Sequence, residues 1–154
     1  MIAAGSRAPV FRLRHSQYHH VTLDDFAGQR LAVVFYVADW HPVCTGQLLR
    51  YCELLPELQR LGANLVAISA DTIWSHAAFA SAYQLRFPLL SDDCPGGSTA
   101  HAYGVMGAER GLCVIDTNGT IAWSATFPDA VDPGVDGVLS ALEALNRLKE
   151  EKPT

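Results

Sequence analysis

Four cysteines, at positions 44, 52, 94 and 113, are the side chains of this 154-residue chain best suited to covalent chemistry, and Cys44 occupies the most favourable place. It lies in LAVVFYVADWHPVCTGQLLRYCELL, where the apolar run from Leu31 to Val37, rich in Val, Phe and Tyr, reads as a buried strand. Asp39 is placed to cap the turn that follows. Pro42 suits the first position of a helix, where its φ fits and its missing N–H would be unpaired anyway. Leu48, Leu49, Cys52, Leu55 and Leu58 then recur at helical spacing, with Gln47, Arg50, Glu53 and Glu57 between them. Cys44 therefore falls in the first turn of a helix, facing unpaired backbone N–H groups and the positive end of the helix dipole. Such places favour thiolate over thiol, and the thiolate is the reactive form.

The four cysteines contain no C-x-x-C pair, which removes the usual signatures of zinc sites and of dithiol oxidoreductases. Reduced thiols fit a cytosolic protein better than a disulfide framework does. A formal charge of -5 and a pI near 5.6 argue against a nucleic-acid or anionic-membrane surface. MIAAGSRAPVFRL lacks a charged segment followed by a long apolar one, and no apolar run approaches the roughly 20 residues that span a bilayer. A soluble, cytoplasmic protein is the expectation. His15, His19 and His20 sit in a polar loop without Cys, Asp or Glu at ligand spacing, so no metal is expected. Gly96 and Gly97 are not a phosphate loop, and no cofactor is expected. His76 and His101 read as surface positions on helices.

The elements that must hold Cys44 follow from the remaining pattern. Phe11 to Arg14 and Val21 to Leu23 read as a small N-terminal hairpin, and Asn64 to Ala70 as a second buried strand. Ile73 to Leu85 reads as a helix with Trp74, Ala77, Ala78 and Tyr83 on its apolar side. Phe87 to Leu90 is a third short strand, and Ser98 to Tyr103 a short helix ended by Gly104. Gly111 to Asp116 and Ile121 to Thr126 flank an Asn-Gly turn and form a hairpin. Pro133 to Glu151 closes the chain as an amphipathic helix. The fold class is α/β, with a central mixed sheet flanked by helices, and residues 1–154 form one domain. The order is that of a thioredoxin-like fold with an N-terminal β-hairpin extension.

The segments GSRAPVFRL, VTLDDFAGQRLAVVFYVADWHPVCTGQL, LVAISADTIWSHAAFA, FPLLSD, AYGV and RGLCVIDTNGTI resemble, in order and spacing, the peroxiredoxins of the alkyl hydroperoxide reductase/thiol-specific antioxidant family. The likeness runs to about Trp123 and is greatest to the one-cysteine alkyl hydroperoxide reductase E type. It implies that Cys44 is the peroxidatic cysteine and Arg110 the active-site arginine. The family motif is P-x-x-x-T/S-x-x-C. This chain has Val37 in place of the proline and His41 in place of the hydroxyl residue.

What the resemblance implies is a thiol-dependent peroxidase, an antioxidant enzyme of cell redox homeostasis. It would reduce hydrogen peroxide or organic hydroperoxides through a Cys44 sulfenic acid. Cys44 would attack, Arg110 would stabilise charge with a fixed fork of donors, and the backbone N–H groups of Val43 and Cys44 would meet the peroxide oxygens. Val37, Trp40, Pro42 and Val43 would form the substrate-binding surroundings. Two readings of His41 stand side by side: its imidazole replaces the missing hydroxyl, or it points to solvent. Trp40 either walls the pocket or packs at a subunit contact. An external thiol, from a thioredoxin-like protein or a low-molecular-weight compound, would regenerate the enzyme, and a homodimer is implied.

Among the other cysteines, Cys52 lies about 12 Å along the same helix, too far for a disulfide without unwinding. Cys113 reads as a packed core residue, and Cys94, in SDDCPGG, is the possible resolving thiol. Two alternatives remain beside the peroxidase: a redox sensor or partner-binding protein on the same fold with slow Cys44 oxidation, and a catalytically silent homologue.

Overall fold

The computed structural model describes residues 1–93, 96–107 and 109–151. The strands are β1 (Arg12–Arg14), β2 (His20–Thr22), β3 (Arg30–Phe35), β4 (Ala63–Ser69), β5 (Leu89–Ser91), β6 (Arg110–Ile115) and β7 (Ile121–Phe127). They form a seven-stranded sheet in the order β2-β1-β5-β4-β3-β6-β7. The α-helices are α1 (Pro42–Glu53), α2 (Leu55–Arg60), α3 (Ile73–Tyr83), α4 (Ser98–Ala102) and α5 (Asp136–Glu151). Strand β3 pairs parallel with β4 and β4 with β5, as crossovers through helices require. The β6–β7 hairpin adds antiparallel strands beside β3, and the N-terminal hairpin joins the far edge where Arg14 faces Ser91.

Every residue of β3 and β6 is buried, so each strand supplies side chains to two cores, one on each face of the sheet. Ala32, Val34 and Tyr36 point to one face, where they meet Cys44, Leu48, Tyr51 and, from α5, Val138 and Leu142. Leu31, Val33 and Phe35 point to the other, with Ile68, Tyr103, Cys113 and Ile115. The same alternation sends Leu112 and Val114 of β6 to the face that carries α1, and puts Arg110 in register with them. Gly111 lies between these positions. A Cβ there would collide with the Val105 side chain and come within 3.3 Å of Phe35, so only glycine lets the second core close against β6.

Several expectations need correction. The helix after Cys44 does not run unbroken through Leu58. It ends at Glu53, and α2 begins at Leu55 with Pro56 in its first turn, because proline cannot donate into a continuing helix. On α3 the buried face is Ile73, His76 and Phe79. Trp74 is 64 % exposed, and Ala77, Ala78 and Tyr83 also face outward. The i, i+3, i+6 stripe was thus displaced by the histidine at its centre, and His76 is a buried residue and not a surface one. Leu23 belongs to a 3-10 turn, Leu23–Phe26, whose capping box pairs Thr22 with Asp25. The third strand starts at Leu89, two residues after Phe87, and α5 at Asp136 instead of Pro133.

Candidate active site

Strand β3 delivers the chain to the site, and a tight turn reverses it into α1. Trp40, in that turn, has φ 69, the left-handed region that is uncommon for a bulky residue. Its ring packs against Phe79 at 5.2 Å and Tyr83 at 6.0 Å, which places Trp40 on α3. His41, and not Asp39, is the N-cap of α1: its Nδ1 accepts from the Val43 N–H at 3.2 Å. Asp39 is turned instead toward Tyr36 and α3. Pro42 holds the first helical position, as its fixed φ suggested.

The cap divides the two backbone donors expected to meet a peroxide. The Val43 N–H is taken by His41, whereas the Cys44 N–H has no acceptor among the described residues. With Nδ1 accepting, the neutral His41 ring carries its proton on Nε2, the one nitrogen left to touch a substrate. Removing the ring in His41→Ala is expected to cost about 1 kcal/mol of stability through the lost cap. It should also slow peroxide oxidation of Cys44 about tenfold through the lost donor. Chemical denaturation reads the first effect and stopped-flow kinetics the second; an unchanged rate would leave His41 as a cap alone.

Cys44 is fully buried, and Arg110 Nη1 lies 3.0 Å from its sulfur. The same Nη1 donates to Gln47 Oε1 at 3.1 Å, and Arg110 Nε donates to the Asp129 carbonyl at 2.7 Å. Arg110 itself is 0 % exposed. Among the described residues no carboxylate lies within ion-pair distance of its guanidinium. A buried cation surrounded by neutral oxygens is costly unless some neighbour carries negative charge. Of its three partners, only the Cys44 sulfur can do so.

Gln47 is the residue that sequence reasoning missed. In the sequence it is one of the polar positions between the leucines, yet it is 1 % exposed. Its spacing of three from Cys44 was the available signal, since i and i+3 share a helix face. Its Nε2 and the Arg110 Nη2 are buried without hydrogen-bond partners among the described residues. Two donors are thus left open, one on the side chain that meets the sulfur and one on the Gln47 amide bonded to that side chain. The Asp129 carbonyl gave no sequence signal, because any residue supplies one.

The other cysteines separate from Cys44. Cys52 lies two turns along α1, with its thiol directed at the Gln84 carbonyl at 3.7 Å. Cys113 lies in the core on the opposite face of the sheet, where burial pushes its thiol well above the ordinary range and keeps it protonated. Cys94 lies outside the described residues. Val37 packs against the apolar cluster that contains Cys44, as a space-filling side chain.

A shielded thiol held against an otherwise unbalanced cation suits attack on a small oxidant, which is the chemistry of a thiol peroxidase. The chain belongs to the AhpC/TSA family, the peroxiredoxins, whose family model matches residues 4–124. It is 32 % identical to the putative peroxiredoxin bcp of Coxiella burnetii over 96 % of this chain and 99 % of that one. It is 33 % identical to the alkyl hydroperoxide reductase E of Mycobacterium bovis over 87 % of this chain and 89 % of that one. Among solved structures it is similar to the peroxidoxin BcpB of Mycobacterium tuberculosis, with a TM-score of 0.82 and 26 % identity over 94 % of this chain and 99 % of that one. The sheet and helices match the thioredoxin-like architecture of such peroxiredoxin structures, as the element order suggested. Thiol-dependent peroxide reduction is the chemistry of this chain.

Proposed function

We propose that Cys44 is the attacking thiol and Arg110 the charge-stabilising residue in the reduction of hydrogen peroxide or organic hydroperoxides. The Cys44 thiolate attacks the terminal oxygen of ROOH. The S–O bond forms as the O–O bond breaks, Cys44 becomes a sulfenic acid, and RO⁻ leaves and takes up a proton to give ROH. The observation that carries this is the contact of the buried Arg110 guanidinium with the Cys44 sulfur at 3.0 Å, with no carboxylate among the described residues to share it. The open Cys44 N–H, the Gln47 Nε2 and the Arg110 Nη2 are donors for the peroxide oxygens, in the manner of an oxyanion hole. His41 Nε2–H is the further donor that stands in for the hydroxyl of the family motif.

An external thiol, from a thioredoxin-like protein or a small compound, then reduces the sulfenic acid. The placement of Cys52 farther along α1 and of Cys113 behind the sheet supports this. Unpaired cysteines at 44, 52 and 113 are in keeping with a reducing cytoplasm. The homodimer belongs to the same proposal, as do Val37, Trp40 and Pro42 as the walls of the substrate approach. The test is stopped-flow oxidation of the reduced protein by hydrogen peroxide, followed by mass mapping of the product. The expected product is a sulfenic acid or thiol adduct on Cys44, formed faster than a free thiolate reacts. Oxidation no faster than that would favour the sensor reading, and a Cys44–Cys94 disulfide would replace the external resolving step.

A further inference from the structure

Behind the catalytic turn lies a second set of buried polar side chains that the peroxide chemistry does not use. Asp39, in the turn between β3 and α1, is 7 % exposed, and His76 of α3 is 2 % exposed. Asp39 Oδ2 accepts from the Ser75 hydroxyl at 2.8 Å and lies 2.7 Å from His76 Nδ1, while Oδ1 accepts from the Tyr36 hydroxyl at 2.6 Å. His76 Nε2 faces the Leu90 carbonyl at 3.1 Å, an acceptor only, so Nε2 carries a proton. One more proton lies between Nδ1 and Oδ2, because a bare nitrogen and a bare carboxylate would repel at that distance. The Asp39 N–H donates to Asp71 Oδ2 at 2.9 Å, an oxygen that also accepts from Ser69 Oγ at 2.6 Å. Ser91 Oγ closes the set by donating to the Asp71 carbonyl.

Asp39 is therefore tied to the end of β3 through Tyr36, to the end of β4 through Asp71 and Ser69, to α3 through Ser75, and to β5 through His76. The titratable groups that face the pair are Tyr36 and Asp71. Burial, with the Asp39 charge beside it, pushes the Tyr36 hydroxyl far above its ordinary range, so it remains a donor. Asp39, Asp71 and His76 bring ligand-type atoms within 4.8 Å of one another. Their oxygens already accept from Tyr36, Ser69, Ser75 and the Asp39 N–H, and a proton occupies the gap between Asp39 and His76, so the cluster is a filled hydrogen-bond network and not a metal site. The residue next to Asp39 is Trp40, at φ 69, and the next is His41, the cap of α1. Such strain persists only where neighbouring structure over-determines it.

We propose that the Asp39–His76 pair positions Cys44 for its substrate: it holds Trp40 in its left-handed conformation and so fixes the His41 cap and the Cys44 N–H. Neither residue touches the reacting atoms. The proposal rests on Cys44 being the attacking thiol. The test compares hydrogen peroxide oxidation with iodoacetamide alkylation of Cys44, located by peptide mass, in the parent chain, Asp39→Asn, His76→Leu and His76→Asn. Alkylation needs the thiolate but not the in-line placement of a peroxide. In Asp39→Asn and His76→Leu oxidation is expected to fall about ten- to a hundredfold, the usual penalty for a displaced reacting group, with alkylation changed less than about threefold. His76→Asn returns a donor to the place of Nδ1 and is expected to recover oxidation to within about threefold of the parent. Oxidation unchanged within about twofold in folded Asp39→Asn, an equal fall in both reactions, or no recovery in His76→Asn would overturn the proposal. If His76→Leu does not fold, the isosteric Asp39→Asn decides. A parent chain that oxidises no faster than a free thiol would sink the role of Cys44 itself, a failure distinct from that of the variants.

Discussion

Cys44→Ser is expected to abolish peroxide reduction while leaving the fold intact. Serine occupies nearly the same volume, and its hydroxyl can accept from Arg110 Nη1, which lies 3.0 Å from the sulfur it replaces. The core around it, Leu48, Tyr51 and Val34, therefore stays packed. What is lost is the nucleophile: a hydroxyl is not ionised near neutrality and no base among the described residues is bonded to this position, so the turnover rate should drop by about a thousandfold or more. Peroxide consumption in the presence of a small thiol reads the effect, with circular dichroism as the check on folding. Residual turnover near the parent rate would mean that another cysteine carries the chemistry. The same variant leaves Arg110, among the described residues, with no partner that can bear charge. Denaturant unfolding should therefore show a loss of stability of roughly 1–3 kcal/mol, in spite of the close match in size.

How far this site could be read in the sequence depended on whether the signal was local. The strand from Leu31, Pro42 at the start of α1 and the Asn118-Gly119 turn all carry their reasons in adjacent residues, and all are present. The position of Cys44 in the first helical turn followed from them. The identity of the cap did not. Asp39 and His41 both flank the turn, and the choice was made by partners distant in sequence: Ser75 and His76 claim the Asp39 carboxylate, which leaves His41 to take the Val43 N–H. The same long-range claim explains why a histidine read as a surface residue is buried. Gln47 was illegible for a similar reason, since its burial depends on Arg110 reaching across from β6, 63 residues away. The break between α1 and α2 is legible in Pro56, although the regular leucine spacing continues across it.

Arg110→Lys is expected to lower the rate of Cys44 oxidation by about a hundredfold, although it keeps the charge. The guanidinium makes three contacts: Nε to the Asp129 carbonyl, and Nη1 to both Gln47 and the Cys44 sulfur. An ammonium has one nitrogen, on a flexible four-carbon stem, so it cannot hold the Asp129 loop and the sulfur together. The buried nitrogen Nη2, unpartnered among the described residues, is the donor left for an incoming oxygen, and lysine has no counterpart to it. Charge alone would keep the thiolate, whereas the fork would hold the leaving oxygen, and the two roles separate experimentally. Iodoacetamide alkylation of Cys44 in Arg110→Lys should stay within about threefold of the parent, because it samples the thiolate. Arg110→Met should slow both alkylation and peroxide oxidation, since burying Cys44 without a cation disfavours its charged form. Equal peroxide rates in the parent chain and Arg110→Lys would show that the cation acts as a point charge, and the oxyanion-type role of the guanidinium would then fall to Gln47 and the Cys44 N–H.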